Sequence, residues 1–157
     1  MKDVYIHYGS THFRPKAFIE PENIGWVKPS GGLWACLKNN DKAYTWKDWN
    51  ESECFADCSE ENSFSFTLKE TANIHYIYTD YDLYKLPILH DGIARINNRC
   101  GFIDFEKCLQ MGIDAIELRY FGDWGKSLHN DTLYWDLYGW DIDCILILNP
   151  YCIEKEW

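Results

Sequence analysis

Apolar positions recur at a period of two over several short stretches of the chain, and at helical spacing over only a few. "VYIHY" (4–8) and "LWACLK" (33–38) are rich in β-branched and aromatic residues and predict strands. "SFSFTLK" (63–69) alternates, with Phe64, Phe66 and Leu68 on one face of a half-buried strand. "NIHYIYT" (73–79), "IDAIELRY" (113–120) and "CILILN" (144–149) predict three more, the last ended by Pro150. Helical signals are fewer. Thr45 and Asp48 form a Thr-x-x-Asp cap for a helix through "WKDWNESECFADC" (46–58). "DYDLYKLP" (80–87) predicts a short helix ended by Pro87. Asp104 caps a helix in "DFEKCLQMG", with apolar residues at Phe105, Cys108, Leu109 and Met111, and Gly112 stops it.

Punctuated segments separate these elements. Residues 9–32 hold three prolines and several glycines, with one helical turn expected near Lys16–Glu20. Residues 91–100 and 122–132 read as loops, and "YWDLYGWDID" (134–143) as a strand pair closed by Gly139. Few helices among several strands predict an α+β domain with antiparallel or mixed sheets, not a regular βαβ array. One domain spanning residues 1–157 suits the length.

Composition narrows the function. The net charge of −10, with no cluster of Lys and Arg, argues against a nonspecific nucleic-acid binder, disfavours a specific nucleic-acid substrate without excluding it, and argues against a membrane surface. The seven cysteines (36, 54, 58, 100, 108, 144 and 152) include no Cys-x-x-Cys pair. No matching pair of histidines accompanies Cys54 and Cys58, so no zinc site is expected. The chain opens without a long apolar run, and scattered thiols suit a reduced, cytoplasmic protein. Aromatic residues make up 17%, including eight Trp and eleven Tyr, and such residues fill cores or line pockets for flat ligands.

Three positions interrupt the apolar pattern. Glu117 lies between Ile116 and Leu118. It either sits at a solvent edge, pairs with Arg119, or lines a cleft at the strand's end, because an unpaired buried carboxylate is costly. His7 shares a strand face with Tyr5 and is followed by Gly9, Ser10 and Thr11. It is either a structural imidazole or part of a site that also offers backbone groups and a hydroxyl. In "KPSGGLWAC" (28–36) the pair Gly31-Gly32 leads into a strand bearing Trp34, which is either core or a stacking platform with backbone clearance for a flat ring. Two other constellations carry less. Asp141 and Asp143 with Glu154 or Glu156 are a metal set only if they are not surface acids, and Cys36 with His7 or His12 lacks a third, orienting group.

In order, "HYGS", "GGLWAC" and "DAIEL" resemble the three motifs of the ADP-ribosyltransferase superfamily of the His-Tyr-Glu type, which includes diphtheria-like toxins and poly-ADP-ribose polymerases. The resemblance spans residues 5–118. Tyr8 separates His7 from Gly9, and Trp34 stands where the family has Tyr. It implies an ADP-ribosyltransferase-like fold of split sheets and a transferase that uses NAD as substrate. His7 would then hold the adenosine-side ribose, and the Gly9 backbone the nicotinamide carboxamide, helped by the hydroxyl of Ser10 or Ser30. Trp34 would stack on the nicotinamide, and Glu117 would be the catalytic acid on the nicotinamide ribose. The acceptor would be a protein or nucleic acid, and a toxin or phage-defence effector of this kind would need an antitoxin protein. The alternatives are a non-catalytic NAD or ADP-ribose binding module and a protein-interaction domain.

Overall fold

A computed structural model describes residues 2–39, 45–54, 58–90, 95–96, 99–119, 133 and 136–157, with the backbone alone at 95–96 and 99–100. The architecture is α+β. Seven strands form one curled sheet: β1 (Tyr5–Tyr8), β2 (Leu33–Leu37), β3 (Ser63–Leu68), β4 (Ile74–Ile77), β9 (Ala115–Leu118), β10 (Ile145–Ile147) and β11 (Ile153–Glu156). Their spatial order is β11-β3-β1-β2-β10-β9-β4. Every pairing is antiparallel except β4 with β9, which is parallel. Two small hairpin-like pairs lie outside it: β5 (Ile88–Leu89) with β8 (Phe102–Ile103), and β6 (Arg95–Ile96) with β7 (Arg99–Cys100). The loop expected over 91–100 therefore holds backbone pairing, in strands too short to show a period.

The described helices are short and include α1 (Trp46–Glu53), α2 (Asp80–Leu83) and α3 (Phe105–Gln110). The expected caps are present at α1 and α3. The Thr45 hydroxyl accepts from the Asp48 amide while the Asp48 carboxylate accepts from the Thr45 amide, and Asp104 accepts from the Lys107 amide. Helix α1 stops earlier than its sequence pattern suggests, because Cys54 adopts a left-handed backbone (φ 52°). The strand pair expected over 134–143 is not formed among the described residues there. Leu133 and Asp136 are helical, and the Leu137 amide donates to the Leu133 carbonyl. The reason lies in the spacing: Leu133, Leu137 and Trp140 are all buried, four and three residues apart, which is one helix face and not an alternation. Strand β11 was not foreseen, since "IEKE" has no apolar alternation. It forms because the turn at Pro150–Cys152 returns the chain to the edge of β3.

Both sheet faces are covered. One buries Ile6, Cys36, Ile116 and Leu146 beneath Phe105, Leu137 and Trp140; the other buries Tyr5, Ala35, Phe66, Ala115, Ile145 and Cys152. Strand β9 lies inside the sheet with all four residues buried, so Glu117 enters the interior as a matter of topology. No helix among the described residues is long and apolar enough to cross a membrane.

Candidate functional site

The sheet forks at the end of β1. Strands β1 and β2 pair only at Tyr5–Leu37 and Ile6–Cys36. Beyond that point β1 continues along β3, through His7–Phe64 and Tyr8–Ser63, while β2 continues along β10, through Trp34–Leu146 and Leu33–Ile147. A side chain takes over where the ladder ends: His7 Nδ1 lies 2.7 Å from the Trp34 carbonyl oxygen. A carbonyl can only accept, so Nδ1 carries the proton. Burial lowers the imidazole's pKa against the opposing pull of that carbonyl, so the ring is neutral and Nε2 is an acceptor.

A cleft of about 290 Å³ opens at this fork. His7 and Tyr8 border it from β1, Trp34 and Cys36 from β2, and Trp46 and Trp140 from α1 and the 133–140 turn. Its size is at the small end for ligand sites. The wall is built from a T-shaped pair, Trp34 and Trp140, with ring centres 4.9 Å apart. Trp140 is fully buried and donates its indole N–H to the Val27 carbonyl at 2.8 Å. The Cys36 thiol lies in the wall, pushed up to about 11 by burial. That argues against its service as a nucleophile.

The expected site residues divide. His7 and Trp34 both border the cleft, joined by the contact of Nδ1 with the Trp34 carbonyl, although the His7 ring leaves β1 on the Tyr5 face and packs against Phe64 with ring centres 5.1 Å apart. Glu117 does not join them. Trp34 lies opposite Leu146, which lies opposite Ile116; Ala35 lies opposite Ile145, which lies opposite Glu117. Directly paired residues share a face, so the Trp34 and Glu117 side chains leave the sheet on opposite faces. Glu117 is 2% exposed and fully engaged: Arg119 Nε donates to Oε1 at 2.6 Å, Arg119 Nη2 to Oε2 at 3.0 Å, and the Tyr5 hydroxyl to Oε2 at 2.8 Å. Arg119 also meets Asp3 and covers the Tyr76 ring at 4.9 Å. Burial raises the Glu117 carboxyl above its ordinary range, and the Arg119 and Tyr5 donors pull it back. The pairing with Arg119, open as an alternative from the sequence, is what forms.

The remaining expected contacts are also redirected. The Gly9 amide, expected to meet a carboxamide, donates to the Asn62 carbonyl at 2.8 Å. Gly9 is required by its backbone, at φ +114°, and not by crowding, since a Cβ there would meet His7 Nε2 at an ordinary 3.8 Å. Ser10 borders a second, open hollow of about 510 Å³ beside Arg14 and Phe64, and its hydroxyl bonds the His12 carbonyl. Ser30 is exposed and exchanges backbone hydrogen bonds with Glu22. Clearance at Gly31 serves the chain and not a ligand ring: a Cβ there would sit 2.6 Å from the Glu20 carbonyl oxygen, at φ +79°. Gly31→Ala is expected to lower stability by at least about 1–2 kcal/mol, the cost of the left-handed backbone alone. Thermal unfolding checks this, and an unchanged midpoint would contradict it.

Sequence reasoning missed Lys28, Trp46 and Trp140 at the cleft. Their spacing carries no motif; only the fork brings them together. The acids weighed as a surface set also divide. Asp143 is buried, Glu154 accepts from Lys2, and Glu156 accepts from the Phe13 amide. Among the described residues no group of three or more His, Cys, Asp or Glu is placed to hold a metal ion.

No protein-family model, curated protein or solved structure matches this chain.

Proposed function

We propose that this chain binds NAD or ADP-ribose in the cleft at the fork of its sheet, as a nucleotide-binding domain of ADP-ribosyltransferase-like shape. The observation that carries the proposal is the fork: it opens a cleft of about 290 Å³ beside the Trp34 and Trp140 rings, with His7 at its border. A flat ring entering that cleft gains stacking of about 0.5–1.5 kcal/mol beyond its area burial.

Binding without turnover stands ahead of the transferase alternative. Cleaving the N-glycosidic bond of NAD builds positive charge on the ribose, which calls for an anion fixed at the reacting centre. Glu117 is neutralised by Arg119 on the sheet face opposite Trp34, and among the described residues no carboxylate borders the cleft.

Calorimetric titration of the purified protein with NAD and with ADP-ribose tests this, alongside chromatography for free nicotinamide. Saturable binding without nicotinamide is expected. At a hundredfold excess over Kd the ligand should add about 2.7 kcal/mol of stability. Steady nicotinamide release would replace the binding module with an NAD-consuming transferase. No heat with either ligand at millimolar concentration would overturn both.

A further inference from the structure

Among the described residues, the cleft is bordered mostly by aromatic and aliphatic side chains and thiols, with His7, Tyr8 and one charge as its polar groups. Lys28 is the single cation among the described residues that border it, in a chain of net charge −10. Its ammonium lies 5.4 Å from the centre of the Trp34 ring. The chain at its root is anchored to the cleft wall, because the carbonyl of the preceding residue, Val27, holds the Trp140 indole. Asp141, which follows Trp140, faces the same ammonium at 3.9 Å, beyond hydrogen-bond reach. Both side chains are about one-third exposed, so the pair is loose and open to exchange.

We infer that Lys28 is an anion anchor for a phosphorylated nucleotide: it takes the phosphate attached to the sugar of the ring stacked on Trp34, and gives up Asp141 in exchange. This rests on the nucleotide reading of the cleft. Three observations favour a phosphate. Lysine is a compact point charge suited to phosphate oxygens. Its ammonium lies at the Trp34 ring itself, so a base that stacks there moves the charge outward, to the side on which its own sugar and phosphate leave. The cavity is too small for a whole dinucleotide, so the diphosphate must leave past a residue at the rim. Lys28 therefore separates nucleotides from nucleosides and free bases, and Asp141 competes with the ligand for it.

Titrating NAD into the wild-type chain and into the Lys28→Met, Lys28→Arg, Asp141→Asn and Trp34→Leu variants tests the anchor, with unliganded melting recorded for each. Lys28→Met is expected to weaken NAD binding about tenfold or more, the scale of one hydrogen bond to a charged group, and to flatten its salt dependence. Lys28→Arg should keep most of the affinity, and Asp141→Asn should raise it severalfold. If Lys28→Met binds as wild type does while Trp34→Leu loses binding, the anchor is overturned and the cleft stands. If Trp34→Leu also binds like wild type, the ligand lies elsewhere and the nucleotide reading of the cleft falls with the anchor.

Discussion

Replacing Arg119 with leucine is expected to destabilise the protein by about 3–5 kcal/mol, because it strands the Glu117 carboxylate in the interior. Arg119 supplies two of the three donors to that carboxylate and covers it from solvent, its own side chain 15% exposed. The Tyr5 hydroxyl alone would remain. The pH dependence has a definite sign. Burial already raises the folded Glu117 carboxyl above its unfolded value, with Arg119 opposing. Removing the guanidinium raises it further. A folded value above the unfolded one contributes stability that is present below the unfolded value and lost as pH rises through the folded one. The variant should therefore lose ground against wild type as pH climbs from about 4 toward neutrality, and the gap should narrow in acid. Urea denaturation across that range checks both size and sign. Replacing both partners by leucine should recover most of the loss, since an apolar pair of similar volume leaves no charge behind. A single Arg119→Leu variant as stable as wild type at neutral pH would show that Glu117 is not held as an ion pair.

Trp140→Ala is expected to have an effect of similar size for a different reason. The side chain is 1% exposed and stands against Trp34, and its indole satisfies the buried Val27 carbonyl. Truncation of a buried aromatic costs about 3–5 kcal/mol through lost transfer energy and the cavity left behind. The orphaned carbonyl adds to that cost. The cleft would also lose one wall, so NAD affinity should fall together with stability. Free indole at millimolar concentration should restore part of the melting temperature by entering the cavity, as apolar ligands do in dry cavities. A melting temperature within a few degrees of wild type would mean that the 133–140 turn is not integral to the core.

Local chemistry was legible where it is decided locally. Thr45 with Asp48, and Asp104, cap helices because capping needs only residues three apart. Phe64, Phe66 and Leu68 share a buried face of β3, but Ser65 and Thr67 on its other face are buried too, so the strand is not half-buried as its alternation suggests. Leu133, Leu137 and Trp140 do not form the expected strand pair, because these buried residues follow helical spacing within a segment rich in aromatics, where a period of two is easily imposed. The fate of Glu117 could not be read as one outcome, because an acid within an apolar strand looks the same whether its strand end faces a ligand or an arginine.

From the sequence alone came the α+β class, most strand positions, the caps, and the short set of polar residues that interrupt apolar strands. Each follows from periodicity or from contacts a few residues long. The tertiary structure decided which of those residues meet. Sheet order and register set the face on which each side chain emerges, and a shift of one residue reverses it. That is why Trp34 meets Trp140 and Lys28 on one face while Glu117 is turned to Arg119 and Tyr5 on the other; His7, on the Tyr5 face, reaches the border of the Trp34 cleft only through the fork, where its Nδ1 meets the Trp34 carbonyl.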